Sequence, residues 1–156
     1  MAVKYGMYAD NFASATTAKT AALVWPDGAA ETVEFVELTM TGTGQAAVAD
    51  TPHTARFVRC SAGSVGTAGA AQTPEPFEGT RASLSSCSIE YSNEPTTKAT
   101  VYPVHFGFNS RGGLRWSVPK GEGVVCRGSD TNIKGIWEVI AQAAGAIDAN
   151  VHFYEP

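Results

Sequence analysis

Little in this chain is charged. Asp, Glu, Lys and Arg make up 17% of its 156 residues, against roughly a quarter in ordinary soluble domains. Uncharged Thr, Ser, Ala and Gly therefore cover much of the surface, hydrated through hydroxyls or buried against partners. Basic residues are few and dispersed, and the formal net charge is −4. Nucleic-acid binding draws on clustered Lys and Arg to neutralise phosphates, so no nucleic-acid partner is expected. Long apolar runs are missing too. The longest, Ala21-Ala22-Leu23-Val24-Trp25, is far too short to span a membrane, and no membrane partner is expected. The opening Met1-Ala2-Val3-Lys4-Tyr5-Gly6 has no apolar stretch, so no secretory leader is expected.

Cysteine is scarce as well. Cys60, Cys87 and Cys126 are odd in number, far apart and without a C-x-x-C pair, which excludes a disulfide framework and points to buried free thiols. The three histidines, His53, His105 and His152, have no His or Cys ligand at zinc-site spacing. His105 is followed by Phe106 and Gly107, which lacks the second His and following Glu of a cupin metal motif. There is no G-x-S-x-G elbow: Gly63-Ser64-Val65-Gly66 has no strand–turn–helix context. Gly112-Gly113 lacks the Lys-Ser/Thr of a phosphate loop. The carboxylates are scattered, and Glu34 and Glu37 fall on opposed strand phases, so no glycosidase pair can be argued from them. The expectation is no catalytic residue, no metal, no cofactor and no enzyme.

What the sequence does contain is a series of short strands. Residues 32–40 alternate as Val33, Phe35 and then Val36, Leu38, Met40, a slip of one that predicts a β-bulge between Phe35 and Val36. Further strands are expected at 55–61, 83–91, 102–108, 114–118, 124–127, 135–142 and 150–154, with Thr41-Gly42-Thr43-Gly44 as a break and Asn109-Ser110-Arg111-Gly112-Gly113 as a hairpin connection. Residues 1–30 read as an extended N-terminal arm, and Gly63–Pro76 as a long loop of Gly, Ala, Thr and Pro. About eight antiparallel strands with regular turn signals and no amphipathic helix predict an all-β, single-domain β-sandwich or jelly roll over residues 31–156.

Tyr5-Gly6-Met7-Tyr8-Ala9-Asp10-Asn11-Phe12 with Thr16-Thr17-Ala18-Lys19-Thr20, then Val33-Glu34-Phe35, Gln72-Thr73-Pro74-Glu75-Pro76, Asn93-Glu94-Pro95-Thr96, Arg111-Gly112-Gly113-Leu114-Arg115-Trp116, Pro119-Lys120-Gly121-Glu122-Gly123 and Val151-His152-Phe153-Tyr154-Glu155 resemble, in order and over nearly the whole chain, a family of small tailed-phage and prophage head proteins. The resemblance implies a jelly-roll decoration, or cement, protein. Such a protein would be made in the host bacterial cytoplasm, sit on the outside of an icosahedral capsid as a homotrimer, and hold neighbouring major capsid protein subunits together. The loop from Pro52 to Gln72 departs from the family pattern in its length and Gly/Ala content.

The partner-contact candidates are Tyr5, Tyr8, Asn11, Phe12, Thr73, Pro74, Arg111, Arg115 and Trp116. Arg111 and Arg115 flank a glycine-rich tip and could pair with carboxylates, while Arg115 and Trp116 could equally close the sandwich edge. The arm and the Gly63–Pro76 loop are expected to carry much of the contact. The alternative is a receptor- or glycan-binding jelly-roll module of a phage tail, which an exposed aromatic patch at Trp116 or Trp137 would favour. A third reading, an enzyme on a jelly roll, requires His and carboxylates around one cavity.

Overall fold

A computed structural model describes residues 2–42, 51–61, 66–67, 69–89, 91, 93–131, 134–142 and 145–156. Twelve strands are present among them: β1 (Val3–Ser14), β2 (Lys19–Pro26), β3 (Thr32–Gly42), β4 (Pro52–Cys60), β5 (Ala70–Gln72), β6 (Glu75–Pro76), β7 (Ser85–Ile89), β8 (His105–Asn109), β9 (Leu114–Ser117), β10 (Val124–Arg127), β11 (Lys134–Ala141) and β12 (Gly145–Glu155). They form two antiparallel sheets. The first runs β10-β3-β12-β1-β6, with β9 beside β10 on the same flank of β3, and the second runs β5-β7-β2-β11-β4-β8.

The expected all-β sandwich is present, and its winding is that of a jelly roll. Eight strands pair outermost with outermost along the chain: β1 with β12, β2 with β11, β3 with β9 and β4 with β8. The chain thus behaves as one long antiparallel ribbon folded over so that its pairs alternate between two sheets. The remaining four are short strands that extend or edge the sheets.

Alternation places the core. Tyr5, Met7 and Ala9 of β1, Phe35, Leu38 and Met40 of β3, Phe57 of β4, Trp137 and Val139 of β11, and Val151 and Phe153 of β12 meet between the sheets. Their rings form a chain through the interior: Phe35 meets Phe57 edge-on at 4.9 Å, Phe57 meets Trp137 at 5.2 Å, and Trp137 meets Trp116 at 5.5 Å. Offset and edge-on contacts of this kind suit the ring quadrupoles.

The bulge expected between Phe35 and Val36 is observed. His152 pairs with Glu37 and the next residue, Phe153, with Phe35, leaving Val36 without a partner on β12. The slip turns Glu37 outward while keeping Phe35 and Leu38 in the core.

Three expectations change. Residues 1–30 are extended but are not an arm. β1 pairs along β12 from Val3↔Glu155 to Ser14↔Gly145, and β2 lies between β7 and β11. Small side chains hid this membership, since Ala9, Ala21 and Ala22 are core residues here. The described part of the Gly63–Pro76 loop contains β5 and β6; residues 63–65 and 68 lie outside the described residues, as do Thr43 and Gly44 of the expected break. β5 pairs with β7 in the second sheet and β6 with β1 in the first, so residues 70–77 strap one flank of the sandwich. The turn at 109–113 is not a hairpin. β8 belongs to the second sheet and β9 to the first, so the turn carries the chain across the sandwich. Gly113 takes φ +64°, and a Cβ there would stand 2.9 Å from the Met40 carbonyl oxygen, a position only glycine fills without strain.

The segment between β7 and β8 covers the outer face of the second sheet. Tyr91 and Tyr102 close over Leu23, Val58, Cys60 and Ile136. Glu138, wholly buried, is held there by Arg56 Nε at 2.8 Å and by Lys98, and the Arg56 guanidinium lies 4.4 Å from the Tyr102 ring.

Candidate functional site

The outer face of the first sheet carries side chains that the core does not use. In β1 these are Lys4, Gly6 and Tyr8; in β12 they are Asn150, His152 and Tyr154; in β3 the bulge adds Glu37. Glu37 is the hub. Its Oε2 lies 2.9 Å from His152 Nδ1 and 3.2 Å from Lys4 Nζ, and its Oε1 accepts from Arg115 Nε and Nη2, both at 2.9 Å. Burial pushes the Glu37 carboxyl up, but hydrogen bonds and charge from His152 and Lys4 outweigh it and hold the group at about 2. Glu37 is therefore a carboxylate at neutral pH and can only accept, so His152 Nδ1 carries a proton and Nε2 is the nitrogen left over.

Beside this hub is a cleft of about 570 Å³, walled by the strap and floored by β1 and β12. Gln72, Thr73, Glu75 and Phe77 come from the strap, and Gly6, Tyr8, Asn150 and His152 from the sheet. Gln72 Oε1 accepts from the Tyr8 backbone N–H at 2.9 Å, which fixes the strap to the strand. Phe77 lies over Gly6, where a Cβ would come within 3.0 Å of its ring. It meets His152 edge-on at 4.8 Å, with Lys4 Nζ 4.9 Å from its centre. Tyr8 is 58% exposed and Phe77 54%.

The sequence candidates divide. Tyr5 and Phe12 are core residues, and Pro74 is buried, so none of the three presents a surface to a partner. The Tyr5 hydroxyl hydrogen is shared between the Arg81 and Ala82 carbonyls, at 3.0 and 3.2 Å. Trp116 is half-buried against Trp137, which is wholly buried. Neither forms the exposed aromatic patch considered for glycans. Tyr8 and Thr73 meet at the cleft. Asn11 and Arg111 are exposed at one end of the sandwich. Asn11 sits in the β1 bulge at φ +55°, its N–H donating to Asp148 Oδ1 at 2.8 Å. Asp148 pairs with Thr41, and the Gly42 N–H donates to the Ser110 carbonyl at 3.0 Å beside Arg111. Arg115 is exposed but ion-paired to Glu37.

The sequence reading missed Glu37, Phe77 and His152 as a group. The available signal was Phe77, a large apolar residue in an otherwise polar stretch, Pro76-Phe77-Glu78-Gly79. Among the described residues, no group of three or more His, Cys, Asp or Glu is placed to hold a metal ion, and no helix is long and apolar enough to cross a membrane. The thiols are all buried. Burial pushes Cys60 and Cys126 up to about 11 and Cys87 further.

With this geometry in view, comparison with known proteins adds little. The chain matches no protein-family model and no curated protein. Among solved structures it is similar to a chain from a single-particle structure of Maize Chlorotic Mottle Virus, at 12% identity, covering 99% of this chain and 94% of that one, with a TM-score of 0.27. At that score the likeness fixes no feature of this chain.

Proposed function

We propose that the protein is a structural virion component, a decoration or cement protein on the outside of an icosahedral phage head, acting without catalysis or cofactor and bound to major capsid subunits as a homotrimer. One observation carries the reading. Most of the stretches that resemble phage head proteins lie far apart in the chain but meet in the first sheet: Tyr5–Phe12 in β1, Val33–Phe35 in β3, Glu75–Pro76 in β6, Leu114–Trp116 in β9 and Val151–Glu155 in β12. Two of their exposed members, Asn11 and Arg111, share one end of that sheet, the surface proposed to meet the shell. A fold alone does not give a function, so the assignment rests on this convergence. Trimers would suit local three-fold positions, where several modest contacts add through effective concentration.

The test is sedimentation of purified protein with expanded phage heads assembled without it, together with light scattering of the free protein. Co-sedimentation at saturating stoichiometry, three times the 16.3 kDa chain mass in solution, and at least about tenfold weaker attachment for Arg111→Glu are expected. A monomer that stays in the supernatant overturns the reading. The tail-module alternative loses its original support, because Trp137 is buried and Trp116 packs against it.

A further inference from the structure

The cleft beside Glu37 remains to be explained, and the Asn11 and Arg111 end proposed for shell attachment does not include it. Its two exposed aromatic rings are unusual, since large aromatic side chains are ordinarily spent on the core. Here both are held open by construction. Gly6 leaves room for Phe77 to lie against the sheet, and the Gln72–Tyr8 hydrogen bond pins the strap from which Phe77 projects. Gly6, Tyr8, Asn150 and His152 lie on β1 and β12, Gln72 on β5 and Glu75 on β6, and Phe77 follows β6 directly.

The polar groups around the rings include both donors and acceptors. Gln72 has used its oxygen on the Tyr8 N–H, so its NH2 donors remain. His152 has used Nδ1 on Glu37, so Nε2 remains. Thr73, Glu75 and Asn150 also line the cleft. Donors and acceptors are therefore both present around an apolar platform. A ligand that fits must offer a flat apolar face and a rim of groups that both donate and accept. A pyranose ring does this: its axial C–H groups pack on an aromatic face and its hydroxyls do both. The Glu75 carboxylate at the rim favours a neutral sugar over a phosphorylated or acidic one. The volume, about 570 Å³, suits one or two rings.

We infer that the cleft formed by Tyr8, Phe77, Gln72, Glu75, Asn150 and His152 is a binding subsite for a neutral saccharide, with Tyr8 as the stacking platform and Phe77 as the wall. This inference goes beyond the decoration reading and does not depend on it.

The experiment is saturation-transfer-difference NMR on the full chain with maltotriose, cellotriose and tri-N-acetylchitotriose, and with sialyllactose as the anionic control, each at about 10 mM, where even affinities weaker than millimolar are detected. Transfer to the ring protons of at least one neutral sugar is expected, with none to the sialic acid. Tyr8→Ala and Gln72→Ala should each cut the affinity at least about tenfold while leaving the far-UV circular dichroism spectrum unchanged, since Tyr8 and Gln72 lie outside the core. No transfer to any neutral sugar overturns the inference, as does unchanged binding in Tyr8→Ala.

Discussion

Arg56 Nε donates to Glu138 Oε2 at 2.8 Å, and the carboxylate is wholly shielded from water. Lys98, from the segment that covers the second sheet, holds the other oxygen. Removing the acid leaves Arg56 without its carboxylate in a partly dry layer and Lys98 with only Glu94, at 3.4 Å. Breaking such a pair from one side costs about 3 kcal/mol. Glu138→Ala should therefore lower the melting temperature by about 10 °C, and the covering segment should become protease-sensitive first. A loss below about 1 kcal/mol in urea titration would show that the pair contributes little.

A truncation tests the placement of β1. Removing residues 1–12 takes away Tyr5, Met7, Ala9 and Phe12 from the core and strips β12 of most of one neighbour. Each large side chain contributes about 2 kcal/mol by burial, against a total stability of roughly 5–15 kcal/mol. The truncated chain should be unfolded or insoluble. A truncated protein with native circular dichroism would mean that β1 is a removable arm after all.

Acid should act through Glu37. Its folded value, about 2, lies below the ordinary carboxylate value of 4.5. A depressed value means stability that is present above the ordinary value and lost as pH falls through the folded one. Wild type should therefore exceed Glu37→Gln in stability at pH 7, and the gap should close between pH 4.5 and about 2. Urea midpoints for both across that range provide the check, and a gap that persists at pH 2 would place the acid sensitivity elsewhere. Arg115 is largely exposed, so its share of this effect is small.

The thiols offer a chemical test of the core. Cys60, Cys87 and Cys126 are buried and shifted upward by burial, which suppresses the reactive thiolate. Ellman's reagent at pH 7.5 should find no thiol in the native protein and all three in denaturant. Rapid labelling of one cysteine in the native state would contradict the packing around it.

Much of the sandwich was legible because side-chain alternation is a local property. The slip at Phe35 and Val36 could be read in the sequence alone, and it became the bulge that turns Glu37 outward. β1 was harder. Tyr5, Met7 and Ala9 alternate cleanly, but the bulge at Asp10 and Asn11 breaks the phase before Phe12, and small residues make the stretch look like a tail. The turn at 109–113 has hairpin composition, and composition does not say which sheet the next strand joins. The cleft was illegible for a related reason. Tyr8, Phe77 and His152 become neighbours only through the register of β6 and β12 on β1, and register is fixed by the whole fold.

The pairing of Val3 with Glu155 and of Tyr5 with Phe153 also governs when the protein can exist. A ribosome adds roughly 5–20 residues per second, so β1 emerges several seconds before β12 does. Throughout that interval Tyr5, Met7 and Phe12 lack the strand along their long edge, with only the two-residue β6 able to join β1, and the first sheet lacks its centre. Closing so long a loop is slow, as it is for all-β proteins generally. The newborn chain thus passes through a sticky, half-zipped stage. Its solubility there depends on how quickly the final strand arrives and on what shelters those rings until it does.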